Sequence, residues 1–403
     1  MGGIVIVVSA CLGSSDTVSQ TTTAAETTLP APVAVTAPPP TFLGPASFER
    51  PASAIYFRDS EEFPAALIDI AELVPGGPAP DGIAPLEDPE FVTVDEVNFL
   101  ADQDAVLVVD LGGEAKAFPT QIMIWHEIAN TSVGGTPLTV SYCPLCNSAV
   151  AFERTHRDGT VMDFGTSGLL YRSSLVMYDR QTFTLWTHFD GVAVHGVMAG
   201  NELTLVPVST VSFADFAEAH PNGLVLSRHT GFSRRYGVNP YLGYDSNGVG
   251  GTLHPAPFDD AQAPALARVV VVRGSQDSVA VFHEHLLTER VVPIVVDDEE
   301  VVVFLEPGTA TPLQSGLVAL GRDVGATGVF AVSADGESLT FVVGDDGGFV
   351  DNETGSTWNI FGHATAGELA GAELRAVEHL DTFWFAIATF RPNTQLIGVP
   401  AIG

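Results

Sequence analysis

The chain has 403 residues, with 49 acidic side chains against 16 basic ones and a formal net charge of −33. That balance excludes nucleic acid as a partner, because phosphate recognition needs basic patches, and it excludes charge-driven docking on an anionic membrane face. With 46% hydrophobic residues the chain can bury a core, and at about 100–200 residues per domain its length allows one to three domains.

The apolar run over residues 4–12 is too short to span a bilayer, which takes about 20 residues. It reads as the apolar part of an export signal. Val8-Ser9-Ala10-Cys11 resembles the bacterial lipobox, which makes Cys11 the expected site of lipidation and the membrane lipid anchor the expected partner. The basic stretch that usually opens such a signal is lacking, since no Lys or Arg precedes Arg50. Residues 12–46 are mostly Thr, Ala, Pro and Ser and carry only Asp16 and Glu26 as charges. Such a segment cannot offset its ordering entropy by burying apolar surface, and its prolines make it an extended tether. The expected layout is therefore a signal and anchor segment at 1–11, a tether at 12–46, and an exported, lipid-anchored body in a bacterial cell envelope.

The body reads as mainly β (α+β) with few short helices. Short β-branched or apolar runs bounded by Gly, Asp or Pro predict strands over 105–109, 138–142, 149–153, 269–272, 291–296, 301–305 and 338–343. Helices are predicted over 120–130, just after Pro119, over 213–219, with Ser212 as N-cap, and around His283 and His285. The sequence also repeats. Asp179, Thr182 and Trp186 recur as Asp351, Thr354 and Trp358. Gly191, Ala193, Gly196 and Gly200 recur as Gly362, Ala364, Gly367 and Gly371. Asp158-Gly159 matches Asp335-Gly336, and the Gly134-Gly135 turn matches Asp297-Asp298. Several matches in one order predict two homologous β-rich halves about a pseudo-twofold axis. Their cores are 82–205 and 255–376. As domains they read 47–205 and 255–403, joined by a connector at 206–254.

Features shared by both halves read as folding requirements, so those confined to one half are the better functional candidates. Cys143-Pro144-Leu145-Cys146 follows a predicted strand and has no counterpart in the second half. His126 is likewise confined to the first half, with Arg290 as its nearest aligned position, and so is a Gly/Ser-rich loop over 165–174. A Cys-x-x-Cys pair supports three chemistries. It can bind a transition metal such as Zn or Cu with His126 and one further ligand from His188, Asp179 or Met177. It can cycle between dithiol and disulfide, or stand as a structural disulfide. Glu127 beside His126 reads either as a general base or as a solvated helix residue. In the connector, Arg235, Tyr236 and Tyr241 are candidates for binding an anionic or aromatic ligand.

The stretches Trp125-His126-Glu127-Ile128, Tyr142-Cys143-Pro144-Leu145-Cys146-Asn147-Ser148, Phe164-Gly165-Thr166-Ser167-Gly168, Met177-Tyr178-Asp179-Arg180 and Asn239-Pro240-Tyr241 resemble the bacterial family called domain of unknown function 3179. The resemblance covers about residues 80 to 390. Two positions depart from the family pattern, which has Gly where Asn147 stands and often Asn where Arg172 stands. The resemblance implies an exported or lipid-anchored protein and supplies no activity. The sequence thus predicts an envelope protein with a metal-binding or thiol-redox site at Cys143, Cys146 and His126. The rival reading is a non-catalytic ligand-binding or envelope-interaction protein with a structural Cys143–Cys146 disulfide.

Overall fold

The computed structural model describes residues 64–246, 262–275, 277–334, 336–345 and 347–398. Cys11, the tether, Asp335 and the end of the connector lie outside them. The protein is mainly β, 43% strand and 12% helix, with four seven-residue α-helices among the described residues: α1 (Thr120–His126), α2 (Phe213–Ala219), α3 (His283–Glu289) and α4 (Trp384–Phe390).

After short strands at Leu73–Pro75, Leu86–Glu87 and Phe91–Thr93, the first half forms a hairpin, Ala105–Leu111 against Glu114–Pro119. This hairpin leads directly into α1. The helix is shorter than the predicted 120–130, because Glu127 adopts a left-handed conformation (φ 59°) and closes it through its N–H to Met123 O. The next residues are claimed by a second hairpin, Ile128–Val133 against Thr136–Cys143. Its turn residues Gly134 and Gly135 both have positive φ, as a two-residue hairpin turn requires. Ser148–Glu153 then adds to Thr136–Cys143, so the four residues 144–147 between these strands form the Cys-x-x-Cys turn. Asn147 and Arg172, the two departures from the family pattern, both have positive φ (49° and 51°). Gly and Asn enter that region more easily than other residues, which accounts for the family's preference there.

Residues 165–174, predicted as a loop, instead form most of a hairpin, Phe164–Tyr171 against Ser174–Asp179. The alternation of that segment is hidden by its small residues. It continues through Leu185–Thr187 and Ala193–His195 into one sheet.

The same order recurs downstream. Arg268–Arg273 and Ser278–Phe282 form a hairpin that leads into α3. Arg290 then closes α3 with φ 60°, and Val291–Val296 pairs with Glu299–Glu306 around Asp297-Asp298, both at positive φ. A four-stranded sheet follows, Phe341–Val343, Phe349–Asp351, Thr357–Trp358 and Ala364–Ala366. The correspondence continues beyond residues 205 and 376. Ser209–Ser212 lies antiparallel to Ala105–Leu111 and leads into α2, while Leu224–Leu226 lies parallel to Glu114–Pro119. Likewise His379–Phe383 lies antiparallel to Arg268–Arg273 and leads into α4, while Gln395–Ile397 lies parallel to Ser278–Phe282. Part of the predicted connector therefore belongs to a sheet of the first half.

The main apolar core draws on both series of elements. Met123, Cys143, Cys146, Met177 and Trp186 share it with Phe383, Phe385 and Ile387. In each half a buried aspartate holds a tryptophan. Asp179 accepts from Trp186 Nε1 at 2.9 Å and from Thr182 N–H, and Asp351 accepts from Trp358 Nε1 at 2.9 Å and from Thr354 N–H.

Candidate functional site

The cysteine turn sits at the junction of several elements. The Cys146 carbonyl accepts both Thr382 Oγ1 and Phe383 N–H at 2.9 Å, and the Leu145 carbonyl accepts Tyr244 O–H at 2.8 Å. The C-terminal elements and the connector thus hold the turn in place. Cys143 and Cys146 are 1% and 0% exposed, no disulfide joins them, and their sulfurs lie near 2.7 Å apart, closer than two unbonded sulfurs pack.

The two thiols have different surroundings. Burial pushes the Cys143 thiol well above its usual range, and its hydrogen bond to Cys146 adds to this. Burial also works against the Cys146 thiolate. Hydrogen bonds from Cys143, Ser148 and Ser174 outweigh it, and the Cys146 thiol falls below its ordinary value. Ser148 Oγ lies 3.2 Å and Ser174 Oγ 3.4 Å from Cys146 Sγ.

His126 is not part of this pair's hydrogen bonding. Its Nδ1 meets Ala84 O at 2.7 Å and its Nε2 meets Tyr236 O–H at 2.6 Å. The next residue, Glu127, turned by its left-handed backbone, points its carboxyl toward Tyr241. Its carboxyl is buried, receives Tyr241 O–H at 3.4 Å, and is pushed up to about 8 by burial and then by Cys143. Arg290 is therefore the structural counterpart of Glu127 rather than of His126, since each closes its helix. The N–H of Tyr142 bonds Glu127 O just as that of Leu305 bonds Arg290 O, which makes Glu306 the counterpart of Cys143.

The other candidate residues divide. His188 is two hydrogen bonds from Cys146. Its Nε2 meets Ser148 Oγ and its Nδ1 meets Ser141 Oγ, each at 2.9 Å, and burial brings its imidazole down to about 3. Asp179 is committed to Thr182 and Trp186, and Met177 is buried in the core. Tyr236 and Tyr241 turn inward to His126 and Glu127, whereas Arg235 is exposed. Among the described residues no three His, Cys, Asp or Glu side chains gather in metal-binding geometry. Sequence reasoning missed Ser148 and Ser174. The spacing Cys146-x-Ser148 gave no signal, because Cys146 and the left-handed Asn147 belong to the turn, where strand alternation does not hold.

A cavity of about 160 Å³ adjoins the site, lined by Glu127, Leu145, Leu175, Tyr241 and the glycine-containing strand end at Thr166 and Gly168. This is about the volume that holds a benzene-sized molecule. Glu127 and Leu145 are shared between the cavity wall and the thiol surroundings. The molecule is thus a mainly β protein with a buried, asymmetric dithiol beside a small, largely apolar cavity. The family model described as protein of unknown function DUF3179 matches residues 80–394, and the chain belongs to that family. No curated protein and no solved structure matches it.

Proposed function

We propose that this is a dithiol–disulfide exchange protein of the bacterial cell envelope, acting on a small, uncharged disulfide that enters through the cavity beside Glu127. The observation that carries this reading is the asymmetry of the pair. Cys146 has the Ser148 and Ser174 hydroxyls at 3.2 and 3.4 Å, which favour its thiolate, whereas burial holds Cys143 as a thiol. In the oxidising direction Cys146 attacks one substrate sulfur, its electron pair forms the mixed disulfide, and the other substrate sulfur leaves and takes a proton. Cys143 then attacks Cys146, which releases the second substrate thiol and closes the Cys143–Cys146 disulfide. The two protons lost by the pair end on the two product thiols. In this scheme the Cys143 proton leaves, and in the other direction returns, by way of the cavity that Glu127 lines.

Export and lipidation at Cys11 fit this chemistry, because an envelope is where a disulfide persists. The test is to equilibrate the full chain in thiol–disulfide buffers of graded potential, trap it with an alkylating reagent, and weigh it. Interconversion of two states differing by two electrons supports the proposal. A pair that stays oxidised at every potential supports the structural-disulfide reading, which the clamping of the turn by Thr382, Phe383 and Tyr244 favours. Stoichiometric Zn or Cu in purified protein, lost in Cys143→Ser, supports a metal centre. Partition into detergent that is abolished by Cys11→Ala tests the anchor. We also read the repeated order of elements as the trace of a duplicated unit.

A further inference from the structure

We propose that Ser141, His188, Ser148 and Cys146 form an ordered hydrogen-bond chain that makes Cys146 the attacking sulfur, with Ser148 the catalytic hydroxyl that touches it and His188 a positioning residue behind Ser148. This rests on the exchange reading above and adds to it which sulfur reacts and what prepares it.

The contacts are 2.9 Å from Ser141 Oγ to His188 Nδ1, 2.9 Å from His188 Nε2 to Ser148 Oγ, and 3.2 Å from Ser148 Oγ to Cys146 Sγ. One arrangement gives every donor an acceptor. Ser141 O–H donates to Nδ1, Nε2–H donates to Ser148 Oγ, and Ser148 O–H donates to the sulfur. That arrangement needs a neutral imidazole with its proton on Nε2. Burial supplies the neutrality, since His188 is fully buried. A hydroxyl whose own oxygen is already accepting is polarised toward its acceptor, so the chain strengthens the Ser148 bond to a thiolate beyond that of a lone serine. Ser174 offers the contrast. It also reaches Cys146, at 3.4 Å, but has no bond to His188.

Four groups around the chain carry or can carry charge. Cys143 lies on the same turn and raises Glu127 at the end of α1, and the neighbouring Tyr142 phenol, itself pushed up by burial, also feels both thiols. Arg273, on the strand Arg268–Arg273, acts on His188 and is itself paired with Asp190 and Glu378. Arg273 disfavours an imidazolium, which keeps His188 in the neutral form the chain requires. In the reaction the Cys146 electron pair forms the bond to the substrate sulfur. The proton that Cys146 gave up ends on the leaving thiolate, so His188 takes no net proton.

The test uses thiolate absorbance at 240 nm, which needs no reagent to enter the buried site. It is measured against pH in full-length Cys143→Ser protein, with the Cys143→Ser/Cys146→Ser double variant as the blank. Adding Ser148→Ala is expected to raise the thiolate midpoint by about one unit, a tenfold loss of thiolate at a given pH. Adding His188→Ala is expected to raise it by a similar amount. Ser148→Thr, which keeps the hydroxyl, and His188→Gln, which keeps one N–H, are expected to restore most of the shift and also guard against misfolding. Ser174→Ala is expected to move the midpoint less. The inference is overturned if Ser148→Ala leaves the midpoint in place, or if Cys143 in a Cys146→Ser background ionises at lower pH than Cys146 does. Wild-type protein that never cycles in the redox buffers would instead sink the exchange reading, and the midpoint comparison would still decide the hydrogen-bond chain.

Discussion

Replacing Glu127 with Gln should make the protein more stable as the pH rises, by an amount the site itself sets. Burial lifts the Glu127 carboxyl from its ordinary 4.5 to about 8. Below pH 4.5 the group is protonated in both folded and unfolded chains and its contribution is fully present. Between 4.5 and about 8 the unfolded chain ionises while the folded one does not, so the unfolded state binds fewer protons and stability falls with pH. Each unit of that window is worth about 1.4 kcal/mol, and the whole window about 4–5 kcal/mol. Gln cannot ionise, and its carbonyl still accepts Tyr241 O–H, so the variant removes the slope with little change of shape. Other buried acids such as Asp179 and Asp381 contribute slopes of their own, but these are common to both proteins and cancel in the difference. The assay is urea unfolding of wild type and Glu127→Gln at pH 5, 6, 7 and 8. The stability of the variant relative to wild type should rise by about 1.4 kcal/mol per unit and level off above pH 8. A difference that stays flat from pH 5 to 8 would refute the placement of an un-ionised acid beside Cys143.

Three further outcomes follow from the same structure. His188 and His283, each brought down to about 3 by burial, contribute stability that is present above their ordinary 6.5 and lost as the pH falls toward 3; at pH 5 each should have lost about 2 kcal/mol, and His283→Gln should flatten the acid limb of an unfolding series. Asp179→Ala and Asp351→Ala should each cost about 2–4 kcal/mol in unfolding free energy, because each strands a buried tryptophan N–H and a threonine N–H. Gly168 has φ 76°, and a Cβ there would lie 2.2 Å from Pro78 O, so Gly168→Ala should cost at least about 1–2 kcal/mol and displace the segment that walls the cavity, read as faster labelling of Cys146 by a small neutral alkylating reagent.

Much of the fold was legible because the chain marks its strands with β-branched runs and its turns with Gly or Asp pairs. Gly134-Gly135 and Asp297-Asp298 each form a two-residue hairpin turn. Helix α4 was not legible. Trp384-Phe385-Ala386-Ile387-Ala388 is apolar on every side and buried, so it shows no 3.6-residue alternation to separate it from a core strand. At the site, the two cysteines stood out because only one half carries them. Their neighbours were harder to read. His126 looked like the partner of the thiols, but its imidazole bonds Ala84 O and Tyr236 O–H, and the left-handed turn at Glu127 gives the adjacent carboxyl to Tyr241. His188 was legible as a residue of interest but not in its role, since that role runs through Ser148, a residue type that carries no signal of its own on a buried strand.

The counterpart of the site in the second half offers a test of what the scaffold alone requires. Where the first series has Glu127 and Cys143 flanking the Tyr142–Glu127 backbone bond, the second has Arg290 bonded to Glu306. Arg290 donates to Glu306 Oε2 at 2.8 Å and to Leu305 O at 3.1 Å, and both side chains keep some contact with water. The scaffold therefore accepts at this position either an ion pair or an un-ionised acid and a thiol. A partly exposed pair of this kind should give a coupling of about 0.5–1 kcal/mol in a double-mutant cycle of Arg290→Met and Glu306→Gln, read by urea unfolding at neutral pH and weakened by added salt. The same variants should leave the thiolate midpoint of Cys146 where it was, because the pair serves the strand end at Leu305 and not the cysteine turn. A shift of that midpoint by half a unit or more would mean that the two halves share one electrostatic site, and that the separation between scaffold and chemistry drawn from the repeat does not hold.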